Sequence, residues 1–288
     1  GIQLIHTHDS KAHTLAFLGI LFFRMKIPLV VSRRVDFKSG RNILSKKKYN
    51  HPLIKKIICV SDAIKDIMKP AIYDPQKLIS IHSGADLDKF KALTKPEQGL
   101  RERFKLSEDS ILIGNTSALA DHKDYYTYLD TAEIVLNKYA DVHFIIIGSG
   151  PLENEIKEYA SKKDHHERIH FSGFIKDAYK YLNELDIFFI SSKTEGLGTS
   201  IIDAQAAGLP VVATRAGGIP EIVHHEETGL LADVGDSIEL AKQISRVLSD
   251  PELKDKIING ADAHLGKFDA RNTSQKTATV YKEILSGS

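Results

Sequence analysis

Apolar residues fall along this chain in short runs that alternate with longer stretches of helical spacing, the pattern of parallel αβ units. Residues 2–5 read as a strand and 11–23 as a helix. Residues 28–32, 57–60 and 78–81 read as further strands, and Ser61 is placed to cap a helix that stops before Pro70. A turn at Ser83, Gly84, Ala85 and Asp86 leads into a polar stretch, 88–108, without a clear strand, which reads as a hinge. A second series follows: strand 111–114, helix 125–139, strand 142–147, helix 152–161, then strands 169–171, 187–190 and 211–213, with helices 237–249 and 270–285 closing the chain. The expectation is an α/β protein with two parallel-sheet lobes. Ligands of such sheets bind outside the carboxyl ends of the strands, and the cleft between two lobes is the default site.

The segment after strand 187–190 carries the most chemistry. Glu195 stands on a turn with Gly196, Leu197 and Gly198, and Thr199 opens a helix. The unpaired N–H groups and positive dipole end of such a helix attract phosphate. Thr199 and Asp203 are four apart and share a helix face, so the Asp203 carboxylate can point the way the N-terminus points. An acid beside a phosphate site commonly takes ribose hydroxyls. The plain reading of the same residues is an αβ helix with a solvated Asp203.

Other candidates are weaker taken singly. His6 and His8 lie at the carboxyl end of the first strand, two apart and so on one face; no further ligand stands at a telling spacing for a metal. Lys123 sits at the mouth of strand 111–114, where an ammonium can meet a diphosphate as a point charge; a solvated lysine is the alternative. Gly148, Ser149 and Gly150 before Pro151 form a Gly-rich turn that a tight αβ connection explains equally well. His165, His166, His224 and His225 read as surface histidines.

Charge changes the picture more than composition does. Twelve Lys and Arg face two Asp within residues 1–60, a net +10, which leaves −9 for the remainder of the 288 residues. The run Lys46, Lys47, Lys48 with Arg33, Arg34 and Arg41 is either a solvated face or an attractor of anionic lipid or a phosphorylated acceptor. Nucleic acid is disfavoured, because no stacking aromatics accompany the charges. A lone Cys59 allows no internal disulfide and fits a reducing compartment. The longest apolar stretch, 15–23, is too short to span a bilayer.

The segment 194–214 closely resembles retaining glycosyltransferases of the GT-B fold, family GT4. Glu195, seven residues and Asp203 match their Glu-x7-Glu signature with the second acid one methylene shorter. Gly208-Leu209-Pro210-Val211-Val212-Ala213, Gly217-Gly218-Ile219-Pro220-Glu221 and Thr228-Gly229-Leu230-Leu231 match too. The resemblance implies two Rossmann-like lobes: an acceptor-side remainder in 1–86, a nucleotide-sugar lobe in 107–266 and a final helix, 267–288, returning to the first. It also implies that the chain starts in mid-fold, with an incomplete first lobe. By resemblance, Glu195 holds donor-sugar hydroxyls, Asp203 the ribose, and Lys123 with the Gly196–Thr199 turn the phosphates. Gly148 and Ile175 border the nucleotide, and His8 lies beside the transferred sugar. The Arg that accompanies the lysine in that family is missing, with Ala118 near its place; either a backbone N–H or another residue, with Arg215 a candidate, compensates, or donor affinity is weaker. The implied reaction moves a sugar, with retention, from a nucleoside diphosphate sugar to a glycan or lipid-linked hydroxyl, without metal or other cofactor. The expected setting is cytoplasmic, with contact at an anionic membrane face. A non-catalytic nucleotide-sugar-binding fragment and a sugar-nucleotide epimerase are the competing readings, and the Glu195–Asp203 block speaks against the epimerase.

Overall fold

The structure is a computed structural model and describes residues 1–35, 43–91 and 96–287. Lys38 and Arg41 of the basic run lie outside the described residues. In chain order the opening elements are β1 (Ile5–Thr7), α1 (Ser10–Phe23), β2 (Leu29–Arg33), α2 (Ile43–Tyr49), β3 (Ile54–Cys59), α3 (Asp62–Met68) and β4 (Leu78–Ser80). The four strands form one parallel sheet in the order β1-β2-β3-β4. The next elements are α4 (Leu100–Phe104), β5 (Ile111–Thr116), α5 (Tyr125–Lys138), β6 (Val142–Ile147), α6 (Glu153–Ala160), β7 (Ile169–Gly173), β8 (Ile187–Ile190), α7 (Thr199–Ala206), β9 (Val211–Thr214), β10 (Leu230–Ala232), α8 (Ser237–Ser249) and α9 (Pro251–Leu265). Their strands make a second parallel sheet, in the order β10-β9-β8-β5-β6-β7. The last helix is α10 (Ala270–Ser286).

The chain divides into two compact units, 1–84 with 268–288, and 85–267. The second therefore takes in the polar stretch that reads as a hinge in the sequence. That stretch is anchored by α4, where Leu100 is fully buried and its N–H donates to Glu184 Oε2 at 2.6 Å.

Local chemistry explains where the elements differ from the pattern. The first strand is 5–7 rather than 2–5, because pairing with β2 runs Ile5 to Leu29 and Thr7 to Val31. His6 is thus a strand residue, fixed through Nε2 to Ser32 Oγ at 2.9 Å. Asp9 caps α1, accepting from Lys11 N at 2.7 Å and Ala12 N at 2.9 Å. β3 starts at Ile54 and carries the charged Lys55 and Lys56, whose polarity hides its first half in the sequence. Helix α9 escapes the apolar pattern although its start is written plainly: Asp250 caps it, accepting from Leu253 N at 2.9 Å, and Pro251 follows.

The second sheet is buried on both faces, as parallel strands under helices must be. Phe144, Phe188, Phe189, Tyr128 and Val212 have almost no exposed surface, and Tyr128 stacks on Phe189 at 4.6 Å between ring centroids. In the first unit, Val280 of α10 packs with Val30, Ile58 and Ile81. Gly84 sits against the entry to α10, where a Cβ would stand 2.6 Å from backbone atoms of Asp269 and Ala270.

Candidate functional site

All strands of the second sheet run one way, so the loops after them share one edge. Starting from β5 the chain proceeds through β6 and β7 on one side and through β8, β9 and β10 on the other. The order reverses between β5 and β8, and a crevice opens outside the carboxyl ends at such a point. Lys123 lies on the loop after β5 and Glu195 on the loop after β8, so the two flank that switch point.

These loops are tied to each other. Lys193 N donates to His122 O at 2.9 Å, and Ser191 Oγ donates to Asp124 O at 2.9 Å. Across them Lys123 Nζ stands 2.7 Å from Glu195 Oε2, with both side chains largely buried, at 12% and 15% exposure. Ser192 Oγ donates to the same oxygen at 3.3 Å. The loop after β9 pins the main chain of Glu195: Gly218 N donates to its carbonyl at 3.0 Å. A Cβ on Gly217, whose φ is 50°, would stand 2.0 Å from that same oxygen. Gly217 is thus required by close backbone approach.

Gly198, at φ 97°, precedes α7, and no side chain caps the helix. Thr199 is exposed at its start. Leu197 is 3% exposed, so its side chain belongs to the core and any contact with a ligand falls to its main chain. Gly148, at φ 152°, brings the loop after β6 against the loop after β5, where a Cβ would stand 2.0 Å from Ser117 O. Gly148 N also donates to Gly173 O at 3.0 Å. Ile175 is half-buried just beyond Gly173, beside the exposed Phe174.

Asp203 is engaged in a way the sequence does not announce. The ammonium of Lys89 lies 2.9 Å from its Oδ1. Burial raises the Asp203 carboxyl above the usual range, and Lys89 offsets part of that rise. Lys89 is one lysine in a polar run, and no motif marks it. Arg215, the candidate to replace the missing Arg, follows β9, and its Nε lies 3.6 Å from Asp233 Oδ1.

His8 belongs to the first unit. It is exposed just beyond β1, its ring 4.0 Å from that of His6. His6 bridges elements: Nδ1 bonds the Tyr281 hydroxyl of α10 while Nε2 bonds Ser32 of β2. Burial, with His8 and Arg34 nearby, lowers its pKa to about 4, so the ring is neutral. His225 accepts from Leu231 N at 3.0 Å and so fixes a turn.

The profile of the family described as glycosyl transferases group 1 matches residues 97–264, more than half of the chain and the part that carries Lys123, Glu195 and Asp203. The chain belongs to that family. A profile described as Glycosyltransferase Family 4 matches residues 1–89 of this family member. It is 28% identical over 280 residues to the UDP-Gal:alpha-D-GlcNAc-diphosphoundecaprenol alpha-1,3-galactosyltransferase of Escherichia coli, covering 90% of the chain and 71% of that protein. It is 24% identical over 298 residues to the alpha-D-kanosaminyltransferase of Streptomyces kanamyceticus, covering 97% and 77%. Against a Bacillus subtilis relative, 27% identical over 203 residues and 70% of the chain, it spans 53% of the partner's length. Among solved structures, HepE of Anabaena in complex with UDP-glucose superposes with a TM-score of 0.86 at 23% identity, covering 98% of this chain and 79% of that one. A glycosyltransferase from Rickettsia africae superposes at 0.84, also at 23% identity, covering 100% and 78%. The fold is that of the GT-B glycosyltransferases, with two parallel αβ units.

Proposed function

We propose that this chain transfers a sugar from a nucleoside diphosphate sugar to a hydroxyl acceptor with retention of configuration. The observation that carries the reading is the buried Lys123–Glu195 pair at the switch point of the second sheet, 2.7 Å apart. A cation beside an uncapped helix start suits a diphosphate, and a carboxylate held in the same place suits sugar hydroxyls. In this reading Lys123 and the first turn of α7 neutralise the leaving diphosphate, and Glu195 accepts hydrogen bonds from the donor sugar. Asp203 takes the ribose, and main-chain groups near Gly148 and Ile175 border the base. His8 stands by the reacting carbon. The bond from the anomeric carbon to the diphosphate oxygen breaks as the bond to the acceptor oxygen forms on the same face, and the acceptor's proton leaves with the diphosphate. Positioning and charge stabilisation supply the rate.

Protein cations take the part a metal would play, so no metal or other cofactor enters the proposal. HepE crystallised with UDP and with UDP-glucose, which supports a uridine donor. The Escherichia coli relative's acceptor is diphosphoundecaprenol-linked and a Staphylococcus aureus relative is named for capsular polysaccharide biosynthesis, which supports a lipid-linked or glycan acceptor. No helix among the described residues is long and apolar enough to cross a membrane. The net +10 of residues 1–60 favours peripheral contact with an anionic membrane on the cytoplasmic side.

Thermal shift against UDP, GDP and ADP and their sugars is the first test, followed by transfer assays with and without EDTA. A stabilising nucleoside diphosphate sugar and EDTA-resistant transfer are expected. Binding without transfer to any acceptor would reduce the chain to a nucleotide-sugar-binding protein. Loss of transfer on EDTA with rescue by a divalent cation would overturn the metal-free mechanism.

A further inference from the structure

We propose that Lys89 is a positioning residue of the donor site, which holds the Asp203 carboxylate in place and ionised for the ribose of the nucleotide; this rests on the reading of Asp203 given above. Asp203 lies on α7, one turn beyond Thr199, at the end of the helix that opens on the switch-point crevice. Its partner is no loose surface lysine. The Lys89 ammonium is 4.8 Å from the ring centroid of Phe90 and 4.7 Å from that of Tyr179. The two rings meet edge to face at 6.0 Å. An ammonium between two aromatic faces gains from both, and the gain grows as water is excluded. Lys89 and Asp203 keep only 26% and 24% of their side-chain surface exposed. The stem and head of the lysine are therefore fixed before any ligand arrives, and so is the carboxylate that it touches.

Two physical demands meet here. A carboxylate out of water reverts toward the neutral acid unless a cation or donors compensate, and a neutral acid is a poorer acceptor for hydroxyls. Among the described residues, the charged group whose field acts on Asp203 from the surrounding elements is Lys89. The second demand is reach. Asp203 is one methylene shorter than the glutamate of the family signature, so it cannot find its target by flexing. The lysine ammonium stands 2.9 Å from Oδ1 and carries three donors, so it can also face a hydroxyl beside the carboxylate. An aspartate with a clamped lysine can thus present a donor and an acceptor to the ribose where a longer acid alone presents acceptors. In that arrangement extending the acid is not neutral: Asp203→Glu drives the carboxylate into the space of the clamped ammonium.

The test uses the full chain and the nucleoside diphosphate that gives the largest thermal shift, compared with its 2′-deoxy and 3′-deoxy forms. Calorimetry is run from pH 5 to 8 on wild type, Lys89→Met, Lys89→Arg and Asp203→Asn. Lys89→Met keeps an apolar stem between the rings and removes the charge. It is expected to weaken the ribonucleotide roughly tenfold, the scale of one charge-assisted hydrogen bond. It should also narrow the discrimination against the deoxy forms and move the acid loss of binding to higher pH. Lys89→Arg should restore most of the discrimination. If Lys89→Met retains wild-type discrimination and acid limb while Asp203→Asn loses both, Lys89 only packs and the proposal falls alone. If Asp203→Asn binds and discriminates like wild type, the ribose reading of Asp203 falls and takes Lys89 with it. Should Lys89→Met fail to fold, Tyr179→Leu loosens the ammonium without removing its charge, and unchanged discrimination there counts against the clamp.

Discussion

Lys123 and Glu195 are 72 residues apart in the chain and 2.7 Å apart in the fold. Lys123 and Glu195 satisfy each other, so under the proposed assignment a diphosphate at Lys123 would compete with a carboxylate for the same ammonium. Lys123→Ala would then have two effects: it would delete the proposed phosphate partner and leave the largely buried Glu195 without its cation. Calorimetry should show a loss of roughly 1.5–3 kcal/mol for a nucleoside diphosphate. The loss for the matching nucleoside should be much smaller. An equal loss for both would locate the damage in the folded loops rather than in the recognition of phosphate. Glu195 and Asp203 could be picked out in the sequence because a Gly-rich turn, a helix start and two acids sit within one short segment. Lys89 could not, because its meaning comes from Tyr179 and Asp203, which lie far along the chain.

At the scale of elements, β1 and α1 are held by uncharged histidines. His13 of α1 is fully buried, its ring 4.8 Å from that of Tyr49, and neither nitrogen has a hydrogen bond among the described residues. Burial, with Lys48 and Arg33 nearby, lowers its pKa to about 3, as burial lowers that of His6 to about 4. Both folded values lie below the 6.5 of an unfolded chain, so the unfolded state takes up protons first as pH falls. Stability contributed by these rings is complete above pH 6.5 and is lost progressively as pH falls, toward pH 4 for His6 and pH 3 for His13. Denaturant midpoints measured between pH 7.5 and 4.5 should fall for the wild type. They should fall less steeply for His13→Leu, which has no proton to accept; an unchanged slope would exclude His13 as a source. The strands themselves were legible where they are uniformly apolar, as in β8. They were misplaced where polar residues do the pairing, as His6 and Thr7 do in β1. Helix α2 was hidden because Lys46, Lys47 and Lys48 break any apolar period along it.

For the whole molecule, the two-unit α/β plan could be read from the alternation of elements, but the allegiance of the polar stretch between the two series could not. The described residues of 88–108 form no strand, yet Leu100 and the Arg101 guanidinium, 2.9 Å from Glu184 O, bind that stretch to the second unit. Charge follows the same division, +10 in residues 1–60 against −9 beyond them. Each basic group near an anionic surface contributes about 1 kcal/mol and is screened by salt. The chain should therefore co-sediment with vesicles rich in anionic lipid at low salt and release at high salt. Failure to sediment at low salt would return the basic run to a solvated surface.

The membership of α10 in the first unit has a consequence in time rather than in space. The second unit is an insertion: the chain leaves the first unit after Gly84 and re-enters it at Phe268. On a ribosome, residues 1–84 emerge before residues 85–267, but the face formed by Val30, Ile58 and Ile81 waits for Val280. Domains tend to fold as units as they emerge. Here residues 85–267 become complete before the unit that begins the chain, so the order of folding reverses the order of synthesis. In that interval the nascent first unit carries a bare apolar face, and it is the stage of this protein's life most exposed to aggregation and to chaperones.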